Sequence, residues 1–475
     1  MTLSDTNVID DNSVEMEDGV QPHPNPLAFE EDQEPDLSDC EFSSNTHIPF
    51  QFLRDFLQTT DIQTGSVYRG KECISGGSNQ KFLTCNFNID GSPISKDGKT
   101  SVTPIYLMLN ELHFKSRGKN VILAGLWYGK VKPRIDIFLK PFTMQMDDLR
   151  TKGFSVTCNG ESILYKVICL CCVVDSVARP PLQGIKAVNG YYCCSWCQIK
   201  GEYVDETNVK YPFVIPDPPL RNEINCKACC ESLQSGENDK DALLGITTAS
   251  PLINLTSFSM VWGFCPDFPH MIPLGIVRRM LECWLRDVGK PYYIGTGKQL
   301  ERDPVPLTMR RVMKSKELEN FLLYFSVPVL QGYLPDQYFK HWKLLVEGVS
   351  IFLQDVITPT EINTAELSLL EYVCKVEKYY GKFEMTYNVH QLLHLAESVR
   401  RFGPIWSHTS YPFESALGTL KKLLKTSKGV PQQIVRNIEM NRATTLIVSN
   451  YDISEPVFDM CNVIQDYRLV RASVT

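Results

Sequence analysis

No stretch of this sequence reaches the ~18 uninterrupted apolar residues that a membrane-spanning helix needs. The opening Met1-Thr2-Leu3-Ser4-Asp5 also lacks the basic and apolar segments of a secretory leader. Both absences point to a protein with no membrane partner and no secretory route. Lysine and arginine are missing altogether from residues 1–53, which hold thirteen Asp and Glu. An acidic, aromatic-poor segment of this kind buries too little surface to offset the entropy of ordering it. Residues 1–45 are therefore expected to form a disordered acidic tail, and 46–80 a linker or remnant N-terminal segment. A regular disulfide framework is absent too: the cysteines number 17, an odd count, and ten of them crowd between Cys158 and Cys230. That pattern suits the cytosol or nucleus, where thiolates stay free to bind metal. There is no internal repeat at solenoid periods.

With the tail set aside, the overall charge of −7 reverses, because residues 54–475 hold 48 basic against 42 acidic side chains. A surplus this small permits a phosphate-backbone partner without requiring one. At 475 residues the chain can bury a large core, and more than one domain is expected.

Leu83, Cys85, Phe87 and Ile89 alternate with polar residues up to Asp90-Gly91, the pattern of a half-buried strand ending in a turn. Further strands are expected over Thr103 to Leu112 and Asn120 to Tyr128, the second apolar enough to be central. A short amphipathic helix around Phe142 to Lys152 follows, then a buried strand from Ile163 to Val174 that ends at Asp175. Three strands, a helix and a strand, with acidic residues ending the first and last strands, is the order of an RNase H-like core. Residues 194–250 are rich in Cys, Pro and Gly and show little periodicity. Beyond about 255 the period becomes helical, with helices expected at His270 to Val288, Met309 to Phe325, Asp336 to Leu353, Thr364 to Tyr380, Asn388 to Phe402, Pro412 to Lys425 and Gln432 to Ile447. The expected fold class is α/β, an RNase H-like catalytic core interrupted by a large, mostly helical insertion. Its parts are 81–200 with both Asp, an insertion over 201–385, helices over 386–450 and a C-terminal tail, 451–475.

Two constellations carry chemistry. Asp90, Asp175 and Glu414 supply three hard oxygen ligands, enough for Mg²⁺ or Mn²⁺ when phosphate and water fill the remaining positions. Two such cations ~3.5–4 Å apart activate one oxygen and stabilise another on opposite sides of a phosphorus, which suits a two-metal nuclease. Taken singly, each Asp is also an ordinary turn residue. Cys194 and Cys197, 19 residues after Asp175, have C-x-x-C spacing, while His390 and His394 project from one face of a helix 20 residues before Glu414. Together they make a Cys2His2 set for Zn²⁺. Taken apart, the pairs are two buried thiols and a polar stripe on a partly buried helix. A zinc there would pin the segment after the second Asp to the helices before the Glu.

The sequence resembles the DDE transposases of the CACTA/Mirage/Chapaev superfamily over roughly residues 80–445. The likeness rests on Asp90-Gly91-Ser92-Pro93, Pro104-Ile105-Tyr106-Leu107, Ile122-Leu123-Ala124-Gly125-Leu126-Trp127-Tyr128-Gly129, Asp175-Ser176-Val177-Ala178-Arg179 and Asn189-Gly190-Tyr191-Tyr192. It continues through Asp267-Phe268-Pro269-His270-Met271 to Gly403-Pro404-Ile405-Trp406 and Phe413-Glu414. The Cys and His pairs are also similar to the zinc site of the catalytic subunit of V(D)J recombinase. The resemblance implies that Asp90, Asp175 and Glu414 are the catalytic triad of a DNA transposase. Its implied partners are transposon ends, target DNA and further copies of the chain, as a homodimer or higher oligomer, in the nucleus. No zinc-finger spacing or helix-turn-helix signature precedes Asp90. A truncated or domesticated copy is therefore expected, and the alternative is a non-catalytic, DNA-binding or chromatin-associated descendant.

Some residues fall outside these sets. Asp267 and His270 fit the C/D-x-x-H signature of insertion domains in related transposases, or equally a helix N-cap or first-turn carboxylate with a buried His. Cys226, Cys229 and Cys230 have no partner pair at matching spacing for a second metal. Trp196 and Trp406 read as core aromatics or as stacking platforms for a base. Lys421, Lys422, Lys425, Lys428, Arg400 and Arg401 flank Glu414 and are candidates for DNA phosphate contact, or else an ordinary solvated face.

Overall fold

The computed structural model describes residues 59–72, 80–94, 100–158, 161–204, 208–236, 239, 243–295, 313–424 and 429–450. The expected acidic tail, 1–45, the C-terminal tail, 451–475, and Lys425 and Lys428 lie outside the described residues.

The alternating apolar residues of β1 (Gln80–Ile89) put Cys85, Phe87 and Ile89 wholly inside. Thr84, Asn86 and Asn88, on the other side of the strand, are buried as well, so β1 is not the half-exposed strand its pattern predicts. Hydrogen bonds satisfy that polar face. Thr84 Oγ1 donates to Glu111 Oε1 (2.8 Å), Asn110 Nδ2 to Asn86 Oδ1 (3.2 Å), and Asn88 Nδ2 to the Val173 carbonyl (2.7 Å).

The chain continues through β2 (Ser92–Pro93), β3 (Ser101–Leu109), β4 (Ile122–Gly129), α1 (Ile135–Thr151), β5 (Phe154–Cys158) and β6 (Glu161–Val173). The result is a mixed α/β architecture. Its seven-stranded sheet runs β2-β3-β1-β6-β5, with β4 on β3 and β9 (Phe264–Cys265) on β6. β1 is antiparallel to β3 and parallel to β6, and β6 is parallel to β9. Although β4 is apolar enough to read as central, it is bordered among the described residues by β3 alone and exposes Ile122 and Tyr128. Apolar content does not separate central from border strands. Neither β5 nor β9 is visible in the sequence pattern. Because β9 belongs to the sheet, the stretch 201–385 is not wholly outside it.

One face of the sheet packs on α1, where Leu139, Phe142 and Met146 cluster with Phe87, Ile105 and Phe258. A second cluster on the sheet joins Tyr106, Met108, Ile168, Leu170 and Val173 to Ile62, Phe402 and Phe413. The unpatterned 194–250 stretch contains a ribbon of β7 (Glu202–Val204) and β8 (Asn208–Lys210), followed by α2 (Glu223–Gln234).

The helical part has its own core. It is built on α3 (Phe268–Met271), a π-helical turn at Ile272–Val277, α4 (Arg278–Arg286), α5 (Asp336–Phe352) and α6 (Pro359–Tyr380), and within it Trp284 and Trp342 meet edge to face at 4.9 Å. A capping box moves the start of α6 ahead of the expected Thr364. Thr358 Oγ1 accepts from Glu361 N (3.2 Å) and Glu361 Oε2 from Thr358 N (2.8 Å), with Pro359 in the first turn. The chain ends through α7 (Tyr387–Gln391), a 3₁₀ turn at Leu392–His394, α8 (Leu395–Phe402), α9 (Tyr411–Lys422) and α10 (Val430–Asn450). Among the described residues no helix is long and apolar enough to cross a membrane.

Candidate metal centre and acidic cleft

Cys194 and Cys197 lie in the loop after the short helix Arg179–Gln183, and His390 and His394 come from α7 and the turn after it. The ligand atoms of all four lie within 4.8 Å of one another, and all four residues are buried. Cys194 Sγ is 3.4 Å from His394 Nε2, Cys197 Sγ is 3.3 Å from His390 Nε2, and the two Nε2 atoms are 3.3 Å apart. Two sulfurs and two ring nitrogens form a tetrahedral zinc donor set, so this cluster can bind a metal such as zinc. Burial opposes ionisation of Cys194, but its hydrogen bond with Cys197 and the two imidazoles outweigh that and hold the thiol well below its ordinary value. Cys197 moves the other way, raised first by its hydrogen bond with Cys194 and then by burial.

The loop is held by residues whose role the spacing alone does not reveal. The backbone N–H of Trp196 donates to Cys194 Sγ (3.4 Å), and its buried indole donates to the Phe264 carbonyl on β9 (3.0 Å). Trp196 is therefore a core residue, not an exposed stacking platform. Arg221, also buried, donates to the carbonyls of Cys194 (2.7 Å), Tyr192 (2.8 Å) and Leu244 (2.7 Å). Arg179, four residues after Asp175, stacks 4.7 Å from the Trp196 ring centroid and donates to Gln391 Oε1 (3.2 Å). The segment behind Asp175 is thereby coupled to the helix that carries the His pair.

Asp90 follows β1 directly, Asp175 lies just past the end of β6, and Glu414 sits in the first turn of α9. All three line one cleft with Asn88, Asp267, His270, Ser410, Phe413 and Leu417. Asp175 Oδ1 accepts from the N–H of Val177 (2.9 Å) and Ala178 (2.6 Å), so it is a turn residue as well as a cleft residue. Ser410 Oγ donates to Glu414 Oε1 (2.8 Å), while Tyr411 OH donates to Glu319 Oε2 (2.8 Å) and anchors the start of the helix. Burial, then the neighbouring Asp175 charge, pushes the Asp90 carboxyl up to about 6. Among the described residues, no three of these side chains bring ligand atoms within 4.8 Å of one another as the Cys/His group does.

Asp267 bears out only the position of its N-cap reading. It occupies the N-cap position of α3, yet its side chain caps nothing and turns to His270, with Oδ2 2.6 Å from Nδ1. His270 is about a third exposed, not buried, and its Nδ1 lies 3.8 Å from Glu414 Oε1. Its hydrogen bond to Asp267 raises the imidazole to about 9 against the opposing effect of burial.

The basic residues divide. Lys421 Nζ donates to Ser92 Oγ, beside Asp90. Arg400 is paired with Glu366 and Arg401 with Glu397, so neither presents an unmatched charge to a phosphate. Trp406 is half-buried and donates to the Gln354 carbonyl (3.3 Å). Cys226, Cys229 and Cys230 lie on α2 and join no cluster of potential ligands among the described residues.

Residues 352–459 are similar to a domain of unknown function, DUF4218, a family that occurs in plant transposase-like proteins. That stretch includes His390, His394 and Glu414 and leaves out Asp90, Asp175, Cys194 and Cys197. No curated protein matches the chain.

Proposed function

We propose that the protein is a DNA nuclease and strand transferase of the DDE transposase type, with Asp90, Asp175 and Glu414 as its catalytic carboxylates. The observation that carries this reading is that two adjacent parallel strands lead into Asp90 and Asp175, with Glu414 lining the same cleft. The pairing of β1 with an antiparallel hairpin on one side and a parallel strand on the other supports an RNase H-like core. The likeness of residues 352–459 to a family found in transposase-like proteins points the same way.

The donor set fits hard divalent cations, since carboxylate oxygens dominate the cleft and Asp90 carries a charge that its surroundings disfavour. Asp90, Asp175 and Glu414 would hold Mg²⁺ or Mn²⁺, which supplies activation of an attacking oxygen and stabilisation of a leaving one. The chain's own contribution is orientation. Backbone N–H groups fix Asp175, Ser410 fixes Glu414, and Lys421 at the rim attracts a DNA phosphate. The Cys2His2 set would hold a structural Zn²⁺ that keeps the helices before Glu414 against the loop after Asp175.

Asp175→Asn keeps the shape and the hydrogen bonds to Val177 and Ala178 but removes the charge. Nicking of supercoiled plasmid with Mg²⁺ or Mn²⁺ should fall to the level of a metal-free control, with zinc content and melting temperature unchanged. A variant that nicks as fast as the parent overturns the assignment.

A further inference from the structure

Asp90, Asp175 and Asp267 stand at one level of a single parallel ladder. Phe87 pairs with Cys172, and Cys172 pairs with Phe264. Each Asp lies three residues beyond its member of that row. Parallel strands point the same way, so three neighbouring strand ends deliver three aspartates to the same edge of the sheet. Asp267 is 1% exposed, lines the cleft, and has an Oδ1 with no hydrogen-bond partner. A buried carboxylate oxygen left unpaired is costly unless something outside the chain satisfies it. Its other oxygen is held by His270 at 2.6 Å, which fixes the orientation of the carboxylate.

We propose that Asp267 is a fourth carboxylate ligand of the divalent cation in the cleft, an inference that rests on the nuclease reading above. The cation supplies the missing partner of Oδ1. His270 then acts as a positioning residue, holding the second oxygen as carboxylates and imidazoles around metal sites hold one another.

Calorimetric titration of the zinc-loaded full chain with Mg²⁺ and with Mn²⁺ tests this without reference to activity. Asp267→Asn should weaken Mg²⁺ binding at least ~10-fold at unchanged melting temperature, and Asp267→Ser should do the same if the amide perturbs folding. Asp267→Cys separates a ligand from a residue that merely orients His270. Exchanging a hard oxygen for sulfur at the metal costs Mg²⁺ more than the softer Mn²⁺, so the Mn²⁺/Mg²⁺ affinity ratio should rise, as it should in the control Asp175→Cys. A shift in the Asp175→Cys control alone overturns the role of Asp267 and leaves the nuclease reading standing. Parent protein that binds neither ion overturns both.

Discussion

Cys197 sits in a cluster where two thiols and two imidazoles are packed within 4.8 Å with almost no water around them. Such a donor set is stable when a cation neutralises it, because metal binding free energy at a structural site is folding free energy. Cys197→Ser should therefore release zinc, measured by elemental analysis, and lower the melting temperature well beyond the effect of Cys374→Ser, whose cysteine is exposed and away from the cluster. Equal melting curves for the two variants would show that the cluster carries no metal. At this scale the C-x-x-C and His-x-x-x-His spacings were legible because each pair is local in sequence. The place of Asp267 beside Asp90 and Asp175 was not, since it depends on a two-residue strand, Phe264–Cys265, with no alternation to read and on a ladder register that no local window contains.

Between elements, α9 joins the acidic cleft to the Lys421 ammonium. Glu414, Leu417 and Lys421 recur at helical spacing on one face, and Lys421 reaches Ser92 on β2, two residues beyond Asp90. Gly403 permits a separate close approach, that of the end of α8 to Asp61. It ends α8 at a φ of 86°, and a Cβ there would lie 2.3 Å from the Asp61 carbonyl oxygen. Lys421→Ala should weaken binding to duplex DNA across sequences and reduce the slope of log affinity against log salt by ~0.9. Arg400→Ala, whose guanidinium is already matched by Glu366, should leave that slope unchanged. Fluorescence anisotropy over a salt series reads both, and equal slopes for parent and Lys421→Ala would remove Lys421 from the DNA path. Helix positions such as Asp336–Phe352 were readable from periodicity. The pairing of Arg400 was not, because Glu366 lies a helix away and its approach depends on packing, whereas Glu397 and Arg401 pair at i, i+4 within α8.

Across the whole molecule, the chain crosses the sheet early and returns to it late. Asp90 and Glu414 are far apart in sequence, and a helical core over 268–405 occupies the later part of the interval. Holding the cleft together is the task of the contacts beneath it. Arg179 and Trp196 link the loop after Asp175 to the helix of the His pair and to β9, and the cluster of Phe402 and Phe413 seats the last helices on the sheet. The alternation of β1 and the end of β6 foretold two of the strand ends. The border position of β4 and the returning strand β9 depend on tertiary pairing that hydropathy does not encode. The most direct measurement is anomalous diffraction from crystals of the full chain grown with Mn²⁺, recorded at the zinc and manganese edges. The expected maps show zinc among Cys194, Cys197, His390 and His394, and manganese among Asp90, Asp175 and Glu414. Zinc in its place with no manganese in the cleft, at Mn²⁺ concentrations that support cleavage by a known two-metal nuclease, would contradict the nuclease reading.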